Sequence, residues 1–111
     1  MSRLIRLAEV RRQHRYIYFD RRELNCLLSL HSRRVSSGEW RDYAIDHRPG
    51  MAVFSVFRHS HERPLYAIAK CAGNAEQAAD YVVLSGHRRV RTASSLDEVL
   101  AFFDTGLRIV S

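Results

Sequence analysis

The segment 39–46 holds acidic, basic and aromatic side chains side by side, in the order EWRDYAID. If it is a strand, alternation places Asp42 and Asp46 on one face and Arg41 and Tyr43 on the other. Two carboxylates on one face can work as a general acid and base or bind a cation. They can also form structural ion pairs with nearby arginines. We favour ion pairs, because structural pairs far outnumber catalytic ones.

A pair of histidines is the next chemical candidate. His59 and His61 alternate along an extended segment, so both imidazoles can reach one metal ion, with Glu62 or His87 as further ligands. A structural zinc site takes four ligands, usually including thiolates, and the sequence has no CxxC motif. We therefore predict no metal and no cofactor, and keep His59 and His61 as weak candidate ligands.

Motifs for covalent or nucleotide chemistry are absent from the sequence. It contains no GxSxG elbow, no GxGxxG loop and no Walker loop, and neither cysteine falls at a helix start, where its thiolate would be favoured. We predict no catalytic residue and no small-molecule ligand. The absence of motifs does not exclude an enzyme, which is kept as a minor hypothesis.

Arginines and aromatic rings alternate near the N-terminus, and a second arginine cluster lies near residue 90. Guanidinium groups can neutralise phosphates while rings stack on unpaired bases. The net charge is +6, but residues 1–15 hold five arginines against one glutamate, so the remainder carries only +2. DNA or RNA binding is therefore the alternative function. Its candidate contacts are Arg11, Arg12, Arg15, Tyr16, Tyr18, Arg88, Arg89 and Arg91.

Length and composition favour one domain with its own core. The chain has 111 residues, enough to bury roughly two-thirds of its unfolded surface on folding. No secretory signal or membrane span is recognisable, and two cysteines without such a signal indicate reduced thiols, so we predict a cytoplasmic protein. We expect a basic arm at 1–15, whose order is left open, and a single domain at 16–111.

The clearest local signal is a helix start. Asp20 and Glu23 have the spacing of a capping box, and Phe19 with Leu24 that of a hydrophobic staple. The sequence SSG at 36–38 predicts the helix end. The predicted core stripe of this helix is Leu24, Leu27, Leu28, His31 and Val35.

The middle of the chain predicts consecutive strands. They cover about 40–47, 51–58, 65–70, 81–85 and 89–92, with a type II turn at Pro49-Gly50 and a hairpin near Gly86. Apolar residues on both faces of the second strand predict that both its faces are covered.

A second capping box at 95–98 predicts another helix, ending at Thr105-Gly106 and followed by an edge strand at 107–110. The predicted fold class is α+β, with a mostly antiparallel sheet of about five strands and two capped helices packed on it.

Four residues form the candidate protein interface. Cys26 and Leu30 lie on a different side of the first helix from its stripe, and Trp40 and Tyr43 are aromatic residues of the first strand. We therefore predict a non-catalytic interaction or regulatory module. Its partner is a macromolecule, by preference a protein, and a homodimer is one form this can take.

Several stretches resemble one known family. They are YFDR and EL from 18 to 24, GEWRDYAID from 38 to 46, AVFSVFR from 52 to 58, and PLY from 64 to 66. With GEWRDY as the most specific part, residues 16–104 resemble domain-of-unknown-function family 2794, a group of small alphaproteobacterial proteins. The resemblance implies a bacterial, cytoplasmic protein. It carries no functional residue over, because no activity is established for the family.

Overall fold

The computed structural model describes residues 17–59, 63–73 and 80–110, with side chains up to Asp104. Two helices and five strands follow one another as α1, β1 to β5 and α2, and the predicted α+β fold is confirmed. Their bounds are α1 Arg21–Ser36, β1 Asp42–Arg48, β2 Met51–Phe57, β3 Tyr66–Cys71, β4 Asp80–Ser85, β5 Arg88–Ala93 and α2 Leu96–Val110.

Helix α1 begins at the predicted capping box. The Asp20 carboxylate accepts a hydrogen bond of 2.8 Å from the backbone N–H of Glu23, and the Glu23 carboxylate accepts one of 2.8 Å from the backbone N–H of Asp20. Two of the N–H groups that a helix start leaves without partners are thereby satisfied.

The five strands form one antiparallel sheet in sequential order. Gly50 has a φ of 81°, the value that a type II turn requires at its third residue, so Pro49-Gly50 closes the β1–β2 hairpin as predicted. Gly86 has a φ of 63° in the two-residue turn between β4 and β5. A register shift follows at Val83 and Leu84, so β5 bulges against β4.

Both helices pack on the same face of the sheet. Phe54 lies at the centre of this face, beside Ile68 of β3, and is fully buried. From α1, the ring of His31 contacts Phe54 at a centroid distance of 6.4 Å. From α2, the ring of Phe103 contacts Tyr66 of β3 at 5.2 Å. The core therefore lies between this one sheet face and the two helices.

The two helices run side by side in the same direction. Arg22, in the first turn of α1, pairs with Asp97 at 3.2 Å in the first turn of α2. Farther along, Arg33 near the end of α1 pairs at 3.8 Å with Asp104 in the middle of α2. Leu30, on a flank of α1 that periodicity alone left exposed, is buried in the core between the helices and the sheet.

Helix α2 is longer than predicted. It continues through Thr105 and Gly106 to Val110, so the predicted helix end and the edge strand at 107–110 are wrong. Leu107 and Val110 continue the helical spacing set by Phe103, which explains why the helix does not stop. A glycine inside a helix costs only about 1 kcal/mol relative to alanine.

No helix in the described part of the chain combines the length and the apolar character needed to cross a membrane. Cys26 and Cys71 are both free thiols.

Candidate functional site

The sheet face opposite the helices is largely apolar. Alternation along each strand turns these residues away from Phe54 and its neighbours, and the register places Ser55 beside Ala44 and Ala67. Ser55 and Ala69, at its centre, are buried by their neighbours, while most of the others are half-buried. We call this surface the open face. Its members are Ala44, Val53, Ser55, Phe57, Ala67, Ala69, Val82 and Leu84.

Neither helix covers the open face. The prediction that β2 is covered on both faces is therefore not met by any element of residues 17–59, 63–73 and 80–110. A contiguous apolar sheet surface of this kind is the usual mark of a contact with another body.

The two edges of the open face carry opposite charge. Asp42 and Asp46 of β1 stand opposite Phe57 and Val53, and therefore point to the open side. Arg89 of β5 stands opposite Leu84 and points to the same side. All three charged residues are exposed. Arg48 lies at the end of β1, so that edge is mixed but mainly acidic.

The four predicted interface residues do not form one surface. Leu30 is 0% and Trp40 is 4% exposed, so both belong to the core and neither can reach a partner. The Trp40 ring lies against Phe103 of α2 at 5.5 Å, which is why it is buried although it precedes β1. Cys26 is half-buried, and Tyr43 is 45% exposed while it stacks on Phe54.

Asp42 and Asp46 are too far apart to act together. Three residues lie between them along β1, and four steps at the usual rise of a strand give a distance of roughly 13 Å. They cannot share one proton or one cation at that spacing. Elsewhere in the segment, Glu39 pairs with Arg34 of α1 at 3.5 Å, the kind of contact that the ion-pair interpretation predicted.

A buried ionic cluster joins α1 to the sheet. The carboxylate of Glu23, a residue only 4% exposed, accepts a hydrogen bond of 2.7 Å from Lys70 Nζ and a further one from the Tyr81 hydroxyl. Lys70 also donates to the Tyr18 carbonyl at 3.1 Å, so the cluster fixes the segment before α1.

The cluster shifts the pKa values of its own members. Burial raises the pKa of Glu23, but the hydrogen bonds from Lys70, Tyr81 and the Asp20 backbone outweigh it, and the pKa lies below its ordinary value. Burial and the adjacent carboxylate hold the pKa of Tyr81 well above its ordinary value. The carboxylate is occupied by donors of this chain, so the cluster is an anchor of the fold.

Sequence reasoning treated Glu23 only as part of the cap. Two features of the sequence indicate that Glu23 is also buried and paired. Glu23 lies four residues before Leu27 on the buried stripe, and Lys70 is the single lysine in the chain. His31, on the same stripe, is buried as expected. Its Nε2 atom has no hydrogen-bond partner among the described residues.

The histidine and arginine candidates are only partly brought together. His61 lies outside the described residues, as do Arg11, Arg12, Arg15 and Tyr16 of the arm. Tyr18 is 60% exposed, with its ring 4.5 Å from that of His47. Arg88, Arg89 and Arg91 are exposed on β5. No group of three or more His, Cys, Asp or Glu suited to a metal occurs in the described part of the chain.

At one end of the sheet, two adjoining open cavities lie between residues 58–59 and 63–65, the strands β3 and β4, and the β4–β5 turn. One, of about 480 Å³, is lined by Arg58, His59, Arg63, Pro64, Leu65, Ser85 and Gly86. The other, of about 370 Å³, is lined by Arg63, Pro64, Ala67, Leu84, Gly86 and His87. His59 and His87 thus stand at the same end of the sheet, together with two arginines.

The fold and these surfaces define the class as a small α+β protein with one apolar sheet face left open by its helices. The chain belongs to the family described as protein of unknown function DUF2794, whose sequence model matches residues 17–100. The family resemblance is thereby confirmed. Neither the curated proteins nor the solved structures contain a match to the chain.

Proposed function

We propose that the protein is a non-catalytic binding module of the bacterial cytoplasm that associates through the open face of its sheet, with a second copy of the chain as its partner. The observation that carries this proposal is the apolar character of the open face. Burying apolar surface is the main favourable term in protein association.

The open face is large enough for a modest interface. Five strands about 4.8 Å apart and roughly 20 Å long give a surface of about 500 Å² in projection, which side-chain relief enlarges. Specific interfaces bury about 800 Å² on each partner. A dimer through this face is therefore of moderate strength, with a Kd in the micromolar range rather than below.

The edges of the sheet disfavour the other route to association. β1 carries Asp42, Asp46 and Arg48, and β5 carries arginines. Charged side chains on edge strands discourage strand addition from another chain. Contact through the face is the route that remains for the sheet.

Charge at the rim also fits a two-fold dimer. A two-fold axis parallel to the strands places β1 of one copy over β5 of the other. Asp42 or Asp46 of each protomer then approaches Arg89 of its partner, and the pairing occurs twice by symmetry. Such rim charges set orientation more than they add affinity.

The test is sedimentation velocity of the full chain and two matched variants. Val53→Asp places a charge in the middle of the open face. Val35→Asp makes the same change at a residue of α1 that is 43% exposed and lies on the helix side. We expect the wild type and Val35→Asp to sediment with twice the monomer mass of 12.9 kDa at about 100 μM, and Val53→Asp as a monomer with the same circular dichroism spectrum.

A wild type that stays monomeric at that concentration refutes self-association. Equal dissociation by both variants refutes the choice of face. If Val53→Asp fails to fold, sedimentation of the wild type at several concentrations still decides whether the chain self-associates.

Nucleic acid is a second candidate partner, supported by one observation. Arg88, Arg89 and Arg91 are all exposed, and none of them forms an ion pair with a described carboxylate. Replacing all three by Gln should weaken binding to a fluorescent duplex and make its log–log salt slope shallower by about 0.9 for each phosphate that the variant no longer binds. A slope near zero for the wild type would remove this candidate.

A further inference from the structure

The two cavities at the end of the sheet differ in chemistry although they share walls. The larger is lined by Arg58, His59 and Arg63 among others, and of its described lining residues none is acidic. In the described part of the chain, neither arginine forms an ion pair with a carboxylate. The positive charge of this cavity is therefore not neutralised by any described carboxylate.

The smaller cavity is mainly apolar. Pro64, Ala67 and Leu84 line it, and Ala67 stands directly opposite Leu84 across the β3–β4 pair. Arg63, Pro64 and Gly86 line both cavities, so a molecule can extend from one into the other. Gly86, with its positive φ, sets the tight turn that brings β4 and β5 together at this point.

We propose that these adjoining cavities form a binding site for a small organic anion, a phosphate or carboxylate group carried on an apolar body. The acid group lies between Arg58 and Arg63, whose guanidinium groups can donate paired hydrogen bonds to its oxygens. The apolar body lies against Pro64 and Leu84. The volumes fall within the range of ordinary small-molecule sites, about 300–1,000 Å³.

The arginines favour an organic anion over a metal cation. Two guanidinium groups cannot lose their charge near neutral pH, and they repel a cation. An inorganic anion alone would make no contact with the apolar walls of the smaller cavity. The combination of fixed positive charge and apolar wall selects a molecule that has both parts.

The probe is phenyl phosphate, which has a dianionic group and an apolar ring, titrated into ¹⁵N-labelled full-length protein at pH 7. We expect saturable shifts of the amides of Leu84, Gly86 and His87. Inorganic phosphate and phenol, each holding one half of the probe, should bind about tenfold more weakly or worse.

Two variants with the same change of charge separate the site from general electrostatics. Arg63→Gln removes the arginine common to both cavities and should weaken phenyl phosphate binding about tenfold or more, because a charge-assisted pair is removed. Arg21→Gln, at the exposed start of α1, should leave the affinity within about twofold. Both residues are exposed, so both variants should fold.

No saturable shift up to about 10 mM phenyl phosphate overturns the proposal. It is also overturned if the two variants weaken binding equally, or if inorganic phosphate binds as well as the probe. Ala67 and Leu84 also belong to the open face, so the sedimentation of Arg63→Gln is measured in parallel. An unchanged mass with abolished binding shows that the site and self-association are separate properties.

Discussion

Replacing Lys70 by methionine should destabilise the fold, because Lys70 is the partner of a buried carboxylate. The substitution keeps the apolar stem and removes the ammonium group that donates to Glu23 at 2.7 Å and to the Tyr18 carbonyl at 3.1 Å. The Glu23 carboxylate then stays buried with one fewer donor and no opposite charge.

The magnitude follows from the burial of the two partners. Removing one member of a buried ion pair costs about 3–5 kcal/mol, because the other charge is left uncompensated. The Lys70 side chain is 16% exposed, and Glu23 keeps the donors of Tyr81 and of the Asp20 backbone. We therefore expect Lys70→Met to lower the free energy of unfolding by about 2–4 kcal/mol at pH 7.

The assay is urea unfolding at fixed protein concentration, with Arg22→Met as the control. Arg22 pairs with Asp97, but the two side chains are 67% and 71% exposed, so the control removes the same kind of contact in solvent. Exposed pairs contribute less than about 1 kcal/mol.

The cost should also depend on pH. Because the pKa of Glu23 is lowered in the folded state, its stabilisation is present above the ordinary value of 4.5 and is lost as the pH falls through the folded value. The difference between wild type and Lys70→Met should therefore shrink between pH 7 and about pH 3. A Lys70→Met protein as stable as Arg22→Met, or a difference that does not change with pH, refutes the reasoning.

Three further substitutions test the fold. Asp20→Ala should cost about 0.5–2 kcal/mol in urea unfolding through loss of the cap, and no change would mean that the capping box contributes nothing. Gly106→Ala should raise the melting temperature through a gain of up to about 1 kcal/mol, since it lies inside α2, whereas a loss would place it in a helix cap. Phe54→Ala, at the core centre, should lower the free energy of unfolding in urea by about 3–5 kcal/mol. A cost under about 1 kcal/mol would contradict the full burial of Phe54.

Features encoded within a few residues were predictable. The capping box at Asp20 and the Pro49-Gly50 turn rest on local hydrogen bonding and on backbone angles, and both appear where the sequence places them. Short β-prone runs bounded by turn residues likewise predicted the strands, because both the runs and the turns are local features.

Features that depend on distant elements were not predictable in the same way. The buried residues of α1 include Leu30 and not Val35, and no local pattern shows which side of a helix a distant element covers. Trp40 was expected on a surface but is buried against Phe103, which follows it by more than sixty positions in the sequence.

The candidate sites show the same division. The ionic cluster joins Glu23 to Lys70 and Tyr81 over separations of 47 and 58 residues, so only the folded chain reveals it. The open face was partly anticipated, since β2 is apolar on both sides. The periodicity of the sequence does not show what covers the second face of β2, because a partner molecule leaves no local pattern.

The open face is tested most directly by diluting ¹⁵N-labelled protein from about 500 μM to 10 μM and following each amide resonance, a range that spans the expected Kd. We predict concentration-dependent shifts at Ala44, Val53 and Val82, with Arg21 and Ser29 on the outer side of α1 unchanged. Spectra that are identical at all concentrations, or shifts confined to the helices, would contradict association through this face.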